Sequence, residues 1–323
     1  MNPLDSKDNC TKCKSFRDLC LHLHELFLFC ELLNNDHPVF KMDRKAKVES
    51  GRAKTANIAK WLRLASQISS VEMNMFRYEE AHQYCEPVAD ALQSNADHFS
   101  SIITPLTRFI FVANALEEAY RFASPVYEDR LETYKNLNKK IERKRDYSMQ
   151  ASWVLEENLS STNVPKYYEH KVEILQCLSK KYQSNFNVKF DTNLESKEGI
   201  SYGLSLVRDI RNQVAHAEFP IIDDPEYALE FSNPNNKHLI LRLLQHATRI
   251  AAMNIQMLLL TTNDGFNSDE YRYLCDDPDF GDRLQALCTI MYLKNLHLNQ
   301  EFGLNESTQW RLHQVWREQS AKN

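Results

Sequence analysis

Glycine is nearly missing from this chain, with six in 323 residues. That scarcity leaves no glycine-rich loop to wrap a nucleotide phosphate, and no Gly-x-Ser-x-Gly elbow occurs. A His-Glu-x2-His metal pair is absent too, so nucleotide-triphosphatase, serine-esterase and zinc-peptidase readings lack support. A positive balance is also lacking: the formal net charge is −5, so nucleic acid would have to be met by a local basic patch. Long apolar runs are absent. Leu19–Leu33 and Leu239–Leu260 are interrupted by His, Glu, Arg or Gln, and are too short or too polar to span a bilayer. Met1-Asn-Pro-Leu-Asp-Ser-Lys-Asp8 carries no basic start followed by an apolar core, so no secretory signal is expected. The expectation is a soluble cytoplasmic protein with no membrane partner. Its eight scattered cysteines are expected to be free thiols, because a chain of this length buries a core without stapling.

What is plentiful is Leu, Ala, Glu, Lys and Gln, which favours an all-α fold. Helical periodicity runs from Lys14 to Leu33, and one or two helices are expected over Ile58–Tyr84, with Pro87 opening another piece. Ser101–Phe122 reads as a helix with Pro105 in its first turn, stopped at Ser124-Pro125. The charged stretch Tyr127–Leu155 holds the densest basic run: Lys135, Lys139, Lys140, Arg143, Lys144 and Arg145. Helices then follow over Lys166–Tyr182, Ile200–Ala217 and His238–Thr262, with a last one around Arg283–Leu298. No internal repeat or low-complexity tract occurs.

The chemistry concentrates in Arg211-Asn-Gln-Val-Ala-His216, at the closing end of the helix expected over Ile200–Ala217. A permanent guanidinium, an amide and an imidazole that titrates near neutrality suit a phosphodiester: a cation for developing charge and a proton shuttle. The bare Arg-x4-His spacing is cheap, since it recurs at Arg17–His22 and Arg77–His82. Context separates the copies. Arg77–His82 encloses two carboxylates that oppose a phosphate, and Arg17–His22 lies inside a strongly periodic helix. Only Arg211–His216 closes a helix, with Pro220 close behind. On an ideal helix, positions five apart leave side chains about 140° apart. Arg211 and His216 therefore converge only if the helix ends near Ala215–Ala217, or if a second chain completes the site. Asn212 and His216, four apart, share a face.

The segment resembles the Arg-polar-x3-His signature of the HEPN superfamily of helical domains, which includes many RNA-cleaving toxins and phage-defence effectors. The order of four helices between Ser101 and Thr262, the third short and motif-bearing and the fourth long, is similar to the HEPN four-helix bundle. The resemblance implies a metal-independent endoribonuclease that leaves 2′,3′-cyclic phosphate and 5′-hydroxyl ends. It implies a homodimer with a composite active site, an RNA substrate, no cofactor, and an antitoxin or regulatory partner. The catalytic residues it implies are Arg211, Asn212 and His216. Arg208, one turn earlier, extends the cation patch, and Lys139, Lys140, Arg143 and Lys144 are the candidate phosphate-tracking residues. Glu117 and Glu118 fall where HEPN domains often carry acidic residues, and are expected to pair with a basic neighbour. The alternatives are a non-catalytic HEPN-like module that binds RNA, a nucleotide or a partner protein, and a helical scaffold in which Arg211 pairs with Asp209 or Glu218.

Two other groups are expected to be structural. Cys10-Thr-Lys-Cys13 has the gap for gripping one metal ion. A second ligand pair would have to come from Cys20, His22, His24, Cys30 or His37, which offer no second such gap, so no metal is expected. Arg242, His246 and Arg249 share one helix face, read as a polar outer stripe or, in a dimer, as a cleft lining. The expected organisation is an N-terminal helical region (1–95), a HEPN-like bundle (96–262) with a basic insertion at 127–160, and a C-terminal helical extension (263–323).

Overall fold

A segment that is apolar on every side belongs in the middle of a helical protein. Ile250–Leu259, where only Asn254 and Gln256 are polar, comes close to that character. In a computed structural model that describes residues 10–34, 55–137, 142–224, 226, 233–261 and 290–299, it is the centre of the core. Nine helices are described: α1 (Thr11–Lys14), α2 (Leu19–Asn34), α3 (Ala56–Gln67), α4 (Glu86–Asn136), α5 (Tyr147–Asn158), α6 (Tyr168–Phe186), α7 (Tyr202–Ala215), α8 (Pro234–Thr261) and α9 (Ile290–Asn295). The protein is all-α: the described residues contain no strand, only an isolated antiparallel bridge between Phe16 and Leu298.

Around α8 pack α4, α6, α7, α5 and α9, while α2 and α3 form a pair in which α3 lies against α4 and α2 touches α8. Residues on both sides of position 95 enter one core. Leu23 and Leu26 of α2, Ile58 and Leu62 of α3, Phe109 and Tyr120 of α4, and Leu243 and Leu258 of α8 are all buried in the same cluster.

Asn233 accepts a hydrogen bond from the Asn235 amide (3.0 Å) and Pro234 takes the first helical position, which together start α8. Asn254, polar and fully buried in this core, finds partners close by. Asn254 donates to the Ile250 carbonyl (2.9 Å) and accepts from the Tyr168 hydroxyl (3.0 Å), tying α8 to α6.

Three helix boundaries differ from the sequence expectation, each for a physical reason. Helix α2 starts at Leu19 rather than Lys14, because the Asp18 carboxylate caps the amides of Cys20 (2.7 Å) and Leu21 (3.2 Å). The pieces read at Pro87 and Ser101–Phe122 are one helix, α4, of 51 residues, with Pro87 at its start and Pro105 and Pro125 inside. Ser101, where the sequence places a helix start, and Thr104 turn their hydroxyls back onto the carbonyls of His98 (2.6 Å) and Ser100 (2.8 Å). An interior proline costs about 3 kcal/mol. Beyond Pro125 the helix is held by a small core of its own, in which Tyr127 and Leu131 bury against Val154 of α5. Finally, α3 ends at Gln67, and residues 68–80 are extended or turn-like rather than a second helix. An 18-residue window of α4, mean hydropathy 1.4, is long and apolar enough to cross a bilayer by length and composition alone. Thr262, at the end of the expected long helix, and residues 283–289 of the last expected helix lie outside the described residues.

Candidate active site

Helix α7 carries its apolar residues Leu206, Val207 and Ile210 inward with Tyr202 and Gly203. Gly203 is the point of closest approach: a Cβ there would lie 2.5 Å from the Tyr168 hydroxyl and 2.7 Å from a Val172 methyl. Two buried polar residues fix the helix to the segment before it. Asp209 accepts from the Thr192 amide (2.7 Å), and the Gln213 amide donates to the Lys189 carbonyl (3.0 Å).

The helix ends at Ala215, within the window that the Arg211–His216 geometry requires. His216 follows at φ −97°, ψ 11°, and Ala217 is left-handed at φ 57°. The Glu218 amide bonds the Gln213 carbonyl (2.8 Å) and the Ala217 amide the Val214 carbonyl (3.4 Å), a Schellman-type closure built on alanine. Phe219 then buries, stacked on Tyr182 with ring centroids 5.8 Å apart, and pulls the chain back to the core. His216, Ala217 and Glu218 are left exposed.

Arg211 and Asn212 are half-buried at this end. Arg211 donates through Nη1 to Asn212 Oδ1 (3.2 Å), and its Nη2 lies 3.3 Å from Glu117 Oε1 of α4. Its partner is thus Glu117, not Asp209 or Glu218. Glu118 pairs instead with Arg121 on its own helix. The His216 amide bonds the Asn212 carbonyl (2.9 Å), so His216 follows the Arg211–Asn212 pair by one turn. Beneath lies Tyr120, fully buried. Burial pushes its hydroxyl well above the usual tyrosine range and the Glu117 charge adds to this, against the opposing pull of Arg208 and Arg211. It stays a neutral phenol.

Arg208 is partly exposed, its Nε 3.9 Å from the buried Asp209 carboxylate. Of the basic run, Lys139 and Lys140 lie outside the described residues. Arg143 is ion-paired with Glu128 (3.0 Å) and Lys144 with Glu142 (2.8 Å), at the surface. Such exposed pairs are worth about 0–1 kcal/mol and exchange partners readily.

Both decoy copies have structural employment. Arg17 is buried, donates to the Leu298 carbonyl (2.8 Å) and pairs with Glu25 (3.5 Å), and His22 is buried against Gln256 (2.9 Å). Arg77 lies 5.3 Å over the Tyr78 ring, and His82 bonds the Glu79 carbonyl.

Two groups are placed otherwise than expected. Arg242 and Arg249 are buried and His246 is half-buried, so this face of α8 is not an outer stripe. It lines a cavity of about 350 Å³ with Arg17, Lys171, Cys10 and Cys13. Arg249 donates to the Arg17 carbonyl (2.6 Å) and lies 5.7 Å over the Phe16 ring, contacts that accept a buried guanidinium. Cys10 and Cys13 meet neither Cys20 nor Cys30 in a metal cluster. They come together with His170 of α6, their ligand atoms within 4.8 Å of one another. His170 stands 157 or more positions away and carries no spacing signal. No family model matches the chain, and neither curated proteins nor solved structures provide a match.

Proposed function

We propose that the protein is a metal-independent endoribonuclease of HEPN type, in which α4, α6, α7 and α8 are the bundle and the end of α7 is the active site. The observation that carries this reading is the termination of α7 at Ala215. It presents an exposed His216 one turn beyond the half-exposed, hydrogen-bonded Arg211–Asn212 pair.

In this reading His216 takes the proton from the ribose 2′-hydroxyl, or returns one to the leaving 5′-oxygen. The 2′-oxygen attacks the adjacent phosphorus, the P–O5′ bond breaks, and the products are a 2′,3′-cyclic phosphate and a 5′-hydroxyl. Arg211 faces the non-bridging oxygens, where its planar fork meets the charge that builds there. Asn212 braces that fork through Oδ1. The active species is a homodimer whose two α7 ends face one cleft, and Arg208, Lys139, Lys140, Arg143 and Lys144 are its RNA-tracking cations. The biological setting that fits such an activity is a cytoplasmic toxin or phage-defence effector restrained by an antitoxin or regulatory partner.

The second reading, a non-catalytic HEPN-like module for RNA, a nucleotide or a protein, draws on one observation. Glu117 already supplies Arg211 with a counter-charge. The test is end analysis of total RNA incubated with the purified protein in EDTA. Fragments ending in cyclic phosphate support the enzyme, and retained but uncut RNA supports the module. Light scattering at micromolar concentration should report a dimer, and a monomer would remove the composite cleft.

A further inference from the structure

The cysteine pair at the start of the described chain makes a contact that ordinary hydrogen bonding serves badly. Cys10 Sγ and Cys13 Sγ both lie 3.5 Å from the same atom, His170 Nε2. In a neutral imidazole that nitrogen either donates one hydrogen or accepts one, so it can satisfy one thiol and not two. A tetrahedral zinc ion with Zn–S of about 2.3 Å and Zn–N of about 2.0 Å holds sulfur and nitrogen about 3.5 Å apart. The observed separations are those of ligands sharing one ion.

The surroundings agree. Cys10, which caps the start of α1, and Cys13 within it bring both sulfurs to the one imidazole, and this four-residue helix buries no side chain. So short a helix has no stability of its own. Among the described residues its hydrogen bonds to α6 run through these sulfurs, and the Asn299 side-chain amide holds the Lys14 carbonyl from elsewhere (3.4 Å). Lys171 Nζ stands 3.7 Å from Cys13 Sγ and 4.2 Å over the Phe16 ring, placed to donate to a thiolate from outside the coordination sphere. Two thiolates and an imidazole form a borderline-soft donor set that suits zinc better than magnesium or calcium. No further His, Cys, Asp or Glu among the described residues joins the three.

We propose that Cys10, Cys13 and His170 form a zinc site with three protein ligands, its fourth position filled by water from the adjoining cavity. The ion fastens α1 to α6 across the sequence. None of these residues belongs to the Arg211 group, so the two readings stand or fall separately.

The full-length chain, produced in zinc-supplemented medium and purified without chelator, should carry one zinc ion by elemental analysis. After chelation, added cobalt(II) should give a tetrahedral visible spectrum with a thiolate charge-transfer band. Cys10→Ser, Cys13→Ser and His170→Ala should each lose at least tenfold in metal affinity, while Cys177→Ser binds as the parent does. His170→Cys should retain the ion and strengthen the charge-transfer band, which covers the case in which His170→Ala does not fold. A reduced wild type that takes up neither zinc nor cobalt overturns the proposal. So does zinc retained by both serine variants, or a Cys10–Cys13 disulfide in a protein that binds no metal once reduced.

Discussion

Arg211 of α7 and Glu117 of α4 are ion-paired across the helix interface, Nη2 to Oε1 at 3.3 Å, with both side chains partly in solvent. The pair aims the guanidinium and sets its charge against a carboxylate, where the proposed mechanism would bring a phosphate. Screening by water limits its worth to under about 1 kcal/mol. Glu117→Gln should therefore destabilise by less than about 1 kcal/mol in urea unfolding. RNA affinity should rise, because the competing negative charge is gone. A double-mutant cycle with Arg211→Ala isolates the coupling, and a value near zero means that the two side chains do not hold one another in solution.

The turn that releases His216 depends on a left-handed alanine, Ala217 at φ 57°. An L-residue in that region is disfavoured by roughly 1–2 kcal/mol, and glycine is not. Ala217→Gly should raise stability by up to about 1 kcal/mol after glycine's greater unfolded-state entropy is allowed for. Ala217→Val should lower both stability and activity. The measurements are thermal melts and RNA turnover on the same samples.

Gly203 lets α7 approach α6. On an exposed helix face, Gly→Ala would gain about 1 kcal/mol in propensity. Here the added methyl meets the Tyr168 hydroxyl at 2.5 Å and Val172 at 2.7 Å. Overpacking wins, so Gly203→Ala should cost about 1–3 kcal/mol in chemical denaturation.

Two buried histidines predict the response to acid. Burial, with help from Arg249 and Arg17, holds His297 down to about 3, and burial likewise holds His22 well below the ordinary imidazole range. His297 Nε2 bonds the Lys166 carbonyl (2.8 Å), while Nδ1 of each ring has no hydrogen-bond partner. The folded values are depressed, so the stability tied to neutral imidazole is complete above about pH 6.5, the unfolded histidine value. It is lost as pH falls from there toward 3. Each such histidine removes up to about 1.4 kcal/mol per pH unit in that window. His297→Gln should flatten the slope between about pH 6 and pH 4 by that amount relative to the parent. An unchanged slope would mean that His297 is already protonated in the folded state.

Much of this architecture was legible from residue order, and the failures share a cause. The apolar stripes of α2, α6, α7 and α8 follow from periodicity, and the end of α7 from Pro220 close behind it and from the angle between Arg211 and His216 on an unbroken helix. Helix α4 was read as fragments because proline and serine are local stop and start signals, whereas Tyr127, Leu131 and Val154 supply tertiary packing that outweighs Pro125. Arg242 and Arg249 were read as solvated because cations usually are. The burial of Arg249 depends on Phe16 and the Arg17 carbonyl, which reach it from the far end of the chain. The Arg211–Glu117 pair and the meeting of Cys10, Cys13 and His170 are long-range events that no local spacing encodes.

The central claim is that the end of α7 cuts RNA. It is tested most directly by assaying wild type, Arg211→Ala, Asn212→Ala and His216→Ala on one RNA in EDTA, with folding of each checked by circular dichroism. A second substrate should replace the ribose at the cut site by its 2′-deoxy form. The expected outcome is cleavage by wild type alone. Arg211→Ala and His216→Ala should fall by about 10²–10⁴. Asn212→Ala should fall by roughly 10–100-fold, as for one lost hydrogen bond to a charged group. The deoxy substrate should remain intact. Cleavage that persists in folded Arg211→Ala and His216→Ala, or on the deoxy substrate, would contradict the assignment.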